Sequence, residues 1–157
     1  MRKTTVLGFG NPVREDDGVG IYVVQHLMKK LGERPDLQII DMGTSAFEVL
    51  FRLRGQDRLI VVDSVKNVDD PVGTLYKVPD DEILRHVQAQ PHIYTHSLKW
   101  DQALYYAKQM LGDAYPRQVD VYLIAIQDTR FNTHMTEEAQ KGADRLVQIL
   151  TDELKSA

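Results

Sequence analysis

Apolar residues alternate along the chain between two rhythms. Short, nearly unbroken apolar runs occur at Thr4–Gly8, Leu37–Ile40, Arg58–Ser64 (with Leu59, Ile60, Val61 and Val62 inside) and Gln118–Ile126. Runs of this length, rich in Val, Ile and Leu, read as strands buried on both faces. Another strand is expected at Thr74–Val78, after an Asp-, Pro- and Gly-rich turn at Asn67–Gly73. Between the strands the spacing becomes helical. Gly18–Leu31 carries Val19, Val23, Val24, Leu27, Met28 and Leu31 on one stripe and stops before Gly32. Ser45 is placed to cap a helix through Arg54, with Gly55 after it. Pro79–Val87 suits a short helix, Ser97–Leu111 a longer one ended by Gly112, and Thr136–Leu154 a closing helix with Glu137 and Glu138 in its first turn.

Setting the short helix aside, the order is β-α-β-α-β-β-α-β-α. Buried strands alternating with helices predict an α/β protein: a single three-layer α/β/α domain spanning residues 1–157, with a mostly parallel sheet. At 157 residues, 43% hydrophobic and 27% charged, the chain is ordinary for one globular domain. A net charge of −4 without a basic stripe argues against nucleic acid as a partner. The chain has no cysteine, which excludes thiol nucleophiles and zinc knuckles. No 18-residue apolar stretch spans a membrane, and the start at Met1, Arg2 and Lys3 resembles neither a secretory signal nor an anchor. The expected location is the cytoplasm.

In a doubly wound sheet, ligands sit beyond the carboxyl ends of the strands where strand order reverses. That edge receives Asn11, Asp16 and Asp17 from the first strand, Asp41, Gly43 and Thr44 from the second, and Asp63 and Ser64 from the third. The loop after the first strand resembles a phosphate cradle but delivers two carboxylates to the helix start that would otherwise attract an anion. A cation-binding or acid–base site is therefore the better expectation. With a flavodoxin-like order beginning 2-1-3, Asp17 and Asp63 face each other, and His96 lies in a loop able to reach the same rim. Two carboxylates and an imidazole suit a divalent ion of intermediate character such as nickel, zinc, iron or manganese, with positions left open. Each residue also suits a plainer role. Asp16 and Asp17 can be first-turn acids, Asp63 a loop cap, and His96 part of a helix entry. His26 falls on the polar side of the first helix, and His92 and His96, interrupted by β-branched residues, make a poor helical pair. Val13 stands where a dinucleotide motif needs its third glycine, and no P-loop, H-E-x-x-H or G-x-S-x-G occurs.

Four blocks carry a resemblance: Gly8, Phe9, Gly10, Asn11 and Pro12 with Asp16 to Gly20; Asp41 to Thr44; Leu59 to Asp63; and Thr95 to Leu98 entering a helix. Together they resemble the nickel–iron hydrogenase maturation endopeptidases, which cleave a C-terminal extension from the hydrogenase large subunit. The resemblance implies a five-stranded α/β sheet and a metal-coordinating trio at Asp17, Asp63 and His96. It implies nickel supplied by the large-subunit precursor, with zinc or cadmium able to occupy the same donors, and a monomeric enzyme with that precursor as its partner. Catalysis is expected from Asp16, Asp17 and Asp63, with Asp16 or an unligated oxygen of Asp17 or Asp63 as base; whether the metal is catalytic or a recognition tag stays open. Two departures stand out: Ala46 replaces a frequent family glycine, and Gln127–Glu138 lacks the usual Gly-Leu-Ser-Pro type of segment, which leaves the choice of large subunit undetermined. Two rivals use the same residues: a non-enzymatic nickel-binding accessory protein, and a small-molecule hydrolase working through Asp17 and Asp63.

Overall fold

The computed structural model describes residues 2–10, 18–43, 52–66, 69–89, 100–127 and 135–155. In chain order the elements are β1 (Thr4–Phe9), α1 (Val19–Leu31), β2 (Leu37–Gly43), β3 (Arg58–Val65), β4 (Leu75–Pro79), α2 (Asp80–Ala89), α3 (Trp100–Leu111), β5 (Gln118–Ala125) and α4 (Glu137–Leu154). The expected helix from Ser45 lies almost wholly outside the described residues.

The strands form one five-stranded sheet in the order β2-β1-β3-β5-β4. β1 runs parallel to β2 and β3, and β3 parallel to β5, while β4 closes the edge antiparallel to β5. The mostly parallel α/β architecture and its 2-1-3 beginning are thus present. Alternation along the strands divides the core in two. Val6, Ile60, Val62, Tyr122 and Ile124 pack beneath α1 and α4. Leu7, Phe9, Leu59, Val61, Val119 and Val121 face the opposite way, against Leu84 of α2 and Ala103, Leu104 and Ala107 of α3. Burying both faces of the central strands explains their unbroken apolar runs.

One strand differs from its sequence reading: β2 is not confined to Leu37–Ile40 but continues to Gly43, because Gly8 pairs with Asp41 and Phe9, past a bulge, with Gly43. β4 is a part-exposed antiparallel edge strand. α4 begins as its sequence suggests, with the Thr136 side chain accepting from the Ala139 N–H at 3.3 Å.

α1 approaches the sheet more closely than a side chain permits. A Cβ on Gly20 would stand 2.1 Å from the Phe9 carbonyl oxygen and 2.8 Å from that of Val62. One on Gly8 would stand 2.6 Å from the Gly20 oxygen. The paired glycines therefore let the first turn of α1 rest on the backbone of β1 and β3 at their carboxyl ends.

At the opposite end of the sheet, Arg58 on β3 is buried and donates to Asp120 Oδ2 on β5 at 2.9 Å and to Glu153 on α4. Tyr122 donates to Glu153 at 3.4 Å, and burial together with the negative charge of Glu153 and Asp120 pushes its hydroxyl up to about 12. Tyr115 donates to Asp80 Oδ2 at 3.0 Å; burial first and Asp80 second hold its hydroxyl far above the ordinary tyrosine value. A hydroxyl whose pKa is raised by folding contributes stability fully below the unfolded value of about 10, and that contribution disappears as pH climbs towards the folded value. Thermal melts followed by circular dichroism should therefore show a melting temperature that falls steeply above about pH 10. Tyr115→Phe should flatten that alkaline fall, and an unchanged alkaline slope would contradict this assignment.

Candidate functional site

Strand order reverses between β1 and β3, so their carboxyl ends mark the place where an open α/β sheet holds its ligand. β1 ends at Phe9, which is 4% exposed, and β3 delivers Asp63 and Ser64, both half-buried. On the other side of β1, Gly43 accepts from the Gly10 N–H at 2.9 Å and donates its own N–H to Asp41 Oδ1 at 2.9 Å. Gly43 has φ +55°, a left-handed conformation that favours glycine at the strand exit. The first turn of α1, at Gly20, packs on the ends of β1 and β3, and Trp100 at the start of α3 reaches both Phe9 and Asp63.

Of the residues singled out from the sequence, Asp63 stands at this rim. Its Oδ1 accepts from the backbone N–H of Ser64 at 2.7 Å, and its Oδ2 accepts from the Trp100 indole N–H at 2.7 Å. Asp16, Asp17 and His96 lie outside the described residues, as do Asn11, Thr44 and His92. Among the described residues no three His, Asp or Glu side chains gather as a metal site. The chain segments that flank Asp17 and His96 nevertheless both lead to this edge: α1 rests on Phe9 and Val62, and α3 begins against Asp63. His26, on the polar side of α1, is half-buried, stacked on Tyr22 at 3.9 Å, with Nδ1 2.8 Å from the Tyr22 carbonyl oxygen.

Trp100 is the residue that sequence reasoning missed. It is the only tryptophan, four positions after His96 at the start of a helix, and those two facts were the available signal. The arrangement provides a carboxylate that accepts a backbone N–H on one oxygen and the Trp100 indole N–H on the other. Each carboxylate oxygen has two lone-pair directions, and an ionised carboxylate is an acceptor only, the chemistry that a cation or a water proton seeks.

Comparison with known proteins points in one direction. A family model described as hydrogenase maturation protease matches residues 21–153. The hydrogenase expression/formation protein HupD of Thiocapsa roseopersicina is 34% identical over 122 residues, covering 78% of this chain and 52% of that protein. The chain thus spans about half the length of that relative. A putative hydrogenase maturation protease of Methanocaldococcus jannaschii is 27% identical, with 99% of this chain and 92% of the relative covered. Among solved structures, the hydrogenase maturating endopeptidase HybD of Escherichia coli superposes with a TM-score of 0.82 at 20% identity, covering 99% of this chain and 93% of that one. The NiFe hydrogenase maturation protease HycI of Thermococcus kodakarensis gives 0.69 at 24% identity, covering 98% and 92%. At these identities the structures establish a shared fold.

Proposed function

Because this chain belongs to the hydrogenase maturation protease family, we propose that it removes the C-terminal extension of a nickel–iron hydrogenase large-subunit precursor after nickel insertion. The observation that carries the reading is the placement of Asp63 at the strand-order switch, in a chain matched to that family over residues 21–153. Asp17, Asp63 and His96 grip the nickel that the precursor brings as part of the substrate. Carboxylate oxygens and an imidazole nitrogen suit that ion, and the same donors accept zinc or cadmium. A divalent ion so held supplies electrophilic polarisation and a recognition tag.

The remaining chemistry belongs to the chain. Peptide hydrolysis needs a base to take a proton from water as its oxygen bonds to the scissile carbonyl carbon, and an acid to return a proton to the departing amine. Asp16 is assigned the base role, with an unligated oxygen of Asp17 or Asp63 able to share it. No described helix is long and apolar enough to cross a membrane, and the assigned place of work is the cytoplasm, where the precursor is made.

The test is incubation of the purified protein with the precursor in nickel-loaded and nickel-free forms, reading the large subunit's mass. Loss of the tail from the loaded form alone is the expected result. Nickel uptake without any cleavage would favour an accessory binding protein. Turnover of a small ester with both precursors untouched would favour a small-molecule hydrolase.

A further inference from the structure

An aspartate at a strand end has a broad terminal torsion, so an unsupported carboxylate sweeps through many orientations. Asp63 is supported at both oxygens. The Ser64 N–H, fixed by the strand, holds Oδ1 at 2.7 Å, and the Trp100 indole N–H holds Oδ2 at 2.7 Å. The indole is itself fixed, since its ring lies over Phe9 with centroids 6.1 Å apart and planes 29° apart, and Phe9 is buried. The hydrogen bond links residues 37 positions apart and ties the start of α3 to the end of β3.

The choice of donor matters. Lysine or arginine here would place a positive charge beside the carboxylate and compete with any cation. Tryptophan is a neutral donor with no acceptor and no proton to lose in the working range. It therefore orients the carboxylate without adding a charge beside it. A neutral N–H bonded to an ionised oxygen is also among the stronger hydrogen bonds, about twice a neutral pair.

We propose that Trp100 is a positioning residue: through its N–H it sets the plane of the Asp63 carboxylate in which that group meets the metal ion of the precursor. The proposal rests on the reading of Asp63 as a metal-gripping residue. Hydrogen bonds to metal ligands typically matter about 10–100-fold in affinity or activity.

Trp100→Phe keeps an aromatic ring over Phe9 and deletes the donor. With nickel-loaded precursor, kcat should fall about 10–100-fold while KM stays within about twofold, because the contact aligns a ligand rather than adding substrate contact area. A second readout is independent of turnover. The chain has one tryptophan, so ¹⁵N-labelled protein gives a single indole N–H resonance. Asp63→Asn should move that resonance upfield, and added Ni²⁺ should broaden it in the wild type but not in Asp63→Asn.

An unchanged kcat in folded Trp100→Phe, or an indole signal indifferent to Asp63→Asn, overturns the positioning role. Should Trp100→Phe fail to fold, biosynthetic replacement of tryptophan by β-(3-benzothienyl)alanine alters residue 100 alone and swaps N–H for sulfur at nearly constant shape. The same kinetic criteria then decide. The two levels fail differently. Normal processing by Asp63→Asn removes the reading of the site itself. An inactive Asp63→Asn beside a fully active Trp100→Phe removes only the role of Trp100.

Discussion

Asp63→Asn is expected to slow tail removal from nickel-loaded precursor by about 10²–10⁴-fold, the range associated with loss of a positioned acid–base or ligating group. The substitution is isosteric, so shape is retained and charge is lost. It also disturbs a local bonding pattern. The carboxylate accepts from Ser64 on one oxygen and from Trp100 on the other. An asparagine side chain offers one acceptor and one N–H₂ group, so one of those two donors meets another donor. A mismatch of this kind costs about 1–3 kcal/mol when fully buried. Asp63 is half-buried, so water relieves part of it and the cost should lie near the lower end. For a chain of this size about 1 kcal/mol lowers the melting temperature by about 2–4 °C. A folded protein with a slightly lower melting temperature and almost no processing is therefore the expected pair of results. Folded Asp63→Asn that processes at the wild-type rate would falsify the site assignment.

Gly20→Ala is expected to produce a large loss of stability. Two effects oppose each other. Alanine in place of glycine inside a helix favours folding by about 0.5–1 kcal/mol. Against that, the new Cβ would stand 2.1 Å from the Phe9 oxygen and 2.8 Å from the Val62 oxygen. Overpacking usually costs about 1–3 kcal/mol and sometimes more. Here the obstructing atoms belong to the backbone of β1 and β3, two neighbouring strands in the interior of the sheet, and cannot swing aside as a side chain does. Strain wins, and a net cost of about 3 kcal/mol follows, roughly 6–12 °C in melting temperature. Because α1 would have to lift from the carboxyl ends of those strands, processing should fall as well. Gln25→Ala, on the exposed side of the same helix, is the control and should change stability by no more than about 0.5 kcal/mol. Thermal melts of the two variants decide the matter. Equal stability of Gly20→Ala and Gln25→Ala would show that the close approach of α1 is not what the glycine serves.

The interior of the fold was legible because its signals are local. Val6 to Phe9 and Leu59 to Val62 are buried on a sheet covered by helices on both sides, and such burial leaves no polar position to interrupt the run. The helical stripe of α1 and the start of α4 at Thr136, with acids in the first turn, were readable for the same reason. Strand ends were less legible. β2 continues past Asp41 because Phe9 of β1 has a partner to offer at Gly43, and that partner lies 34 positions away. The direction of β4 also escaped the sequence, since hydropathy along a short strand is the same whichever way it runs.

Acidic residues at strand ends, glycines where a helix meets a strand, and apolar runs of strand length are properties of neighbouring residues, and from them the chain alone determined an α/β sheet with chemistry along one edge. Whether the indole of residue 100 meets the carboxylate of residue 63, and whether α1 sits tightly enough to need Gly20, depends on surfaces that touch only after the helices pack on the sheet. Those two features the tertiary structure decided. Each is a short-range contact, of a hydrogen bond in one case and of backbone against backbone in the other, between groups the chain keeps far apart until it folds.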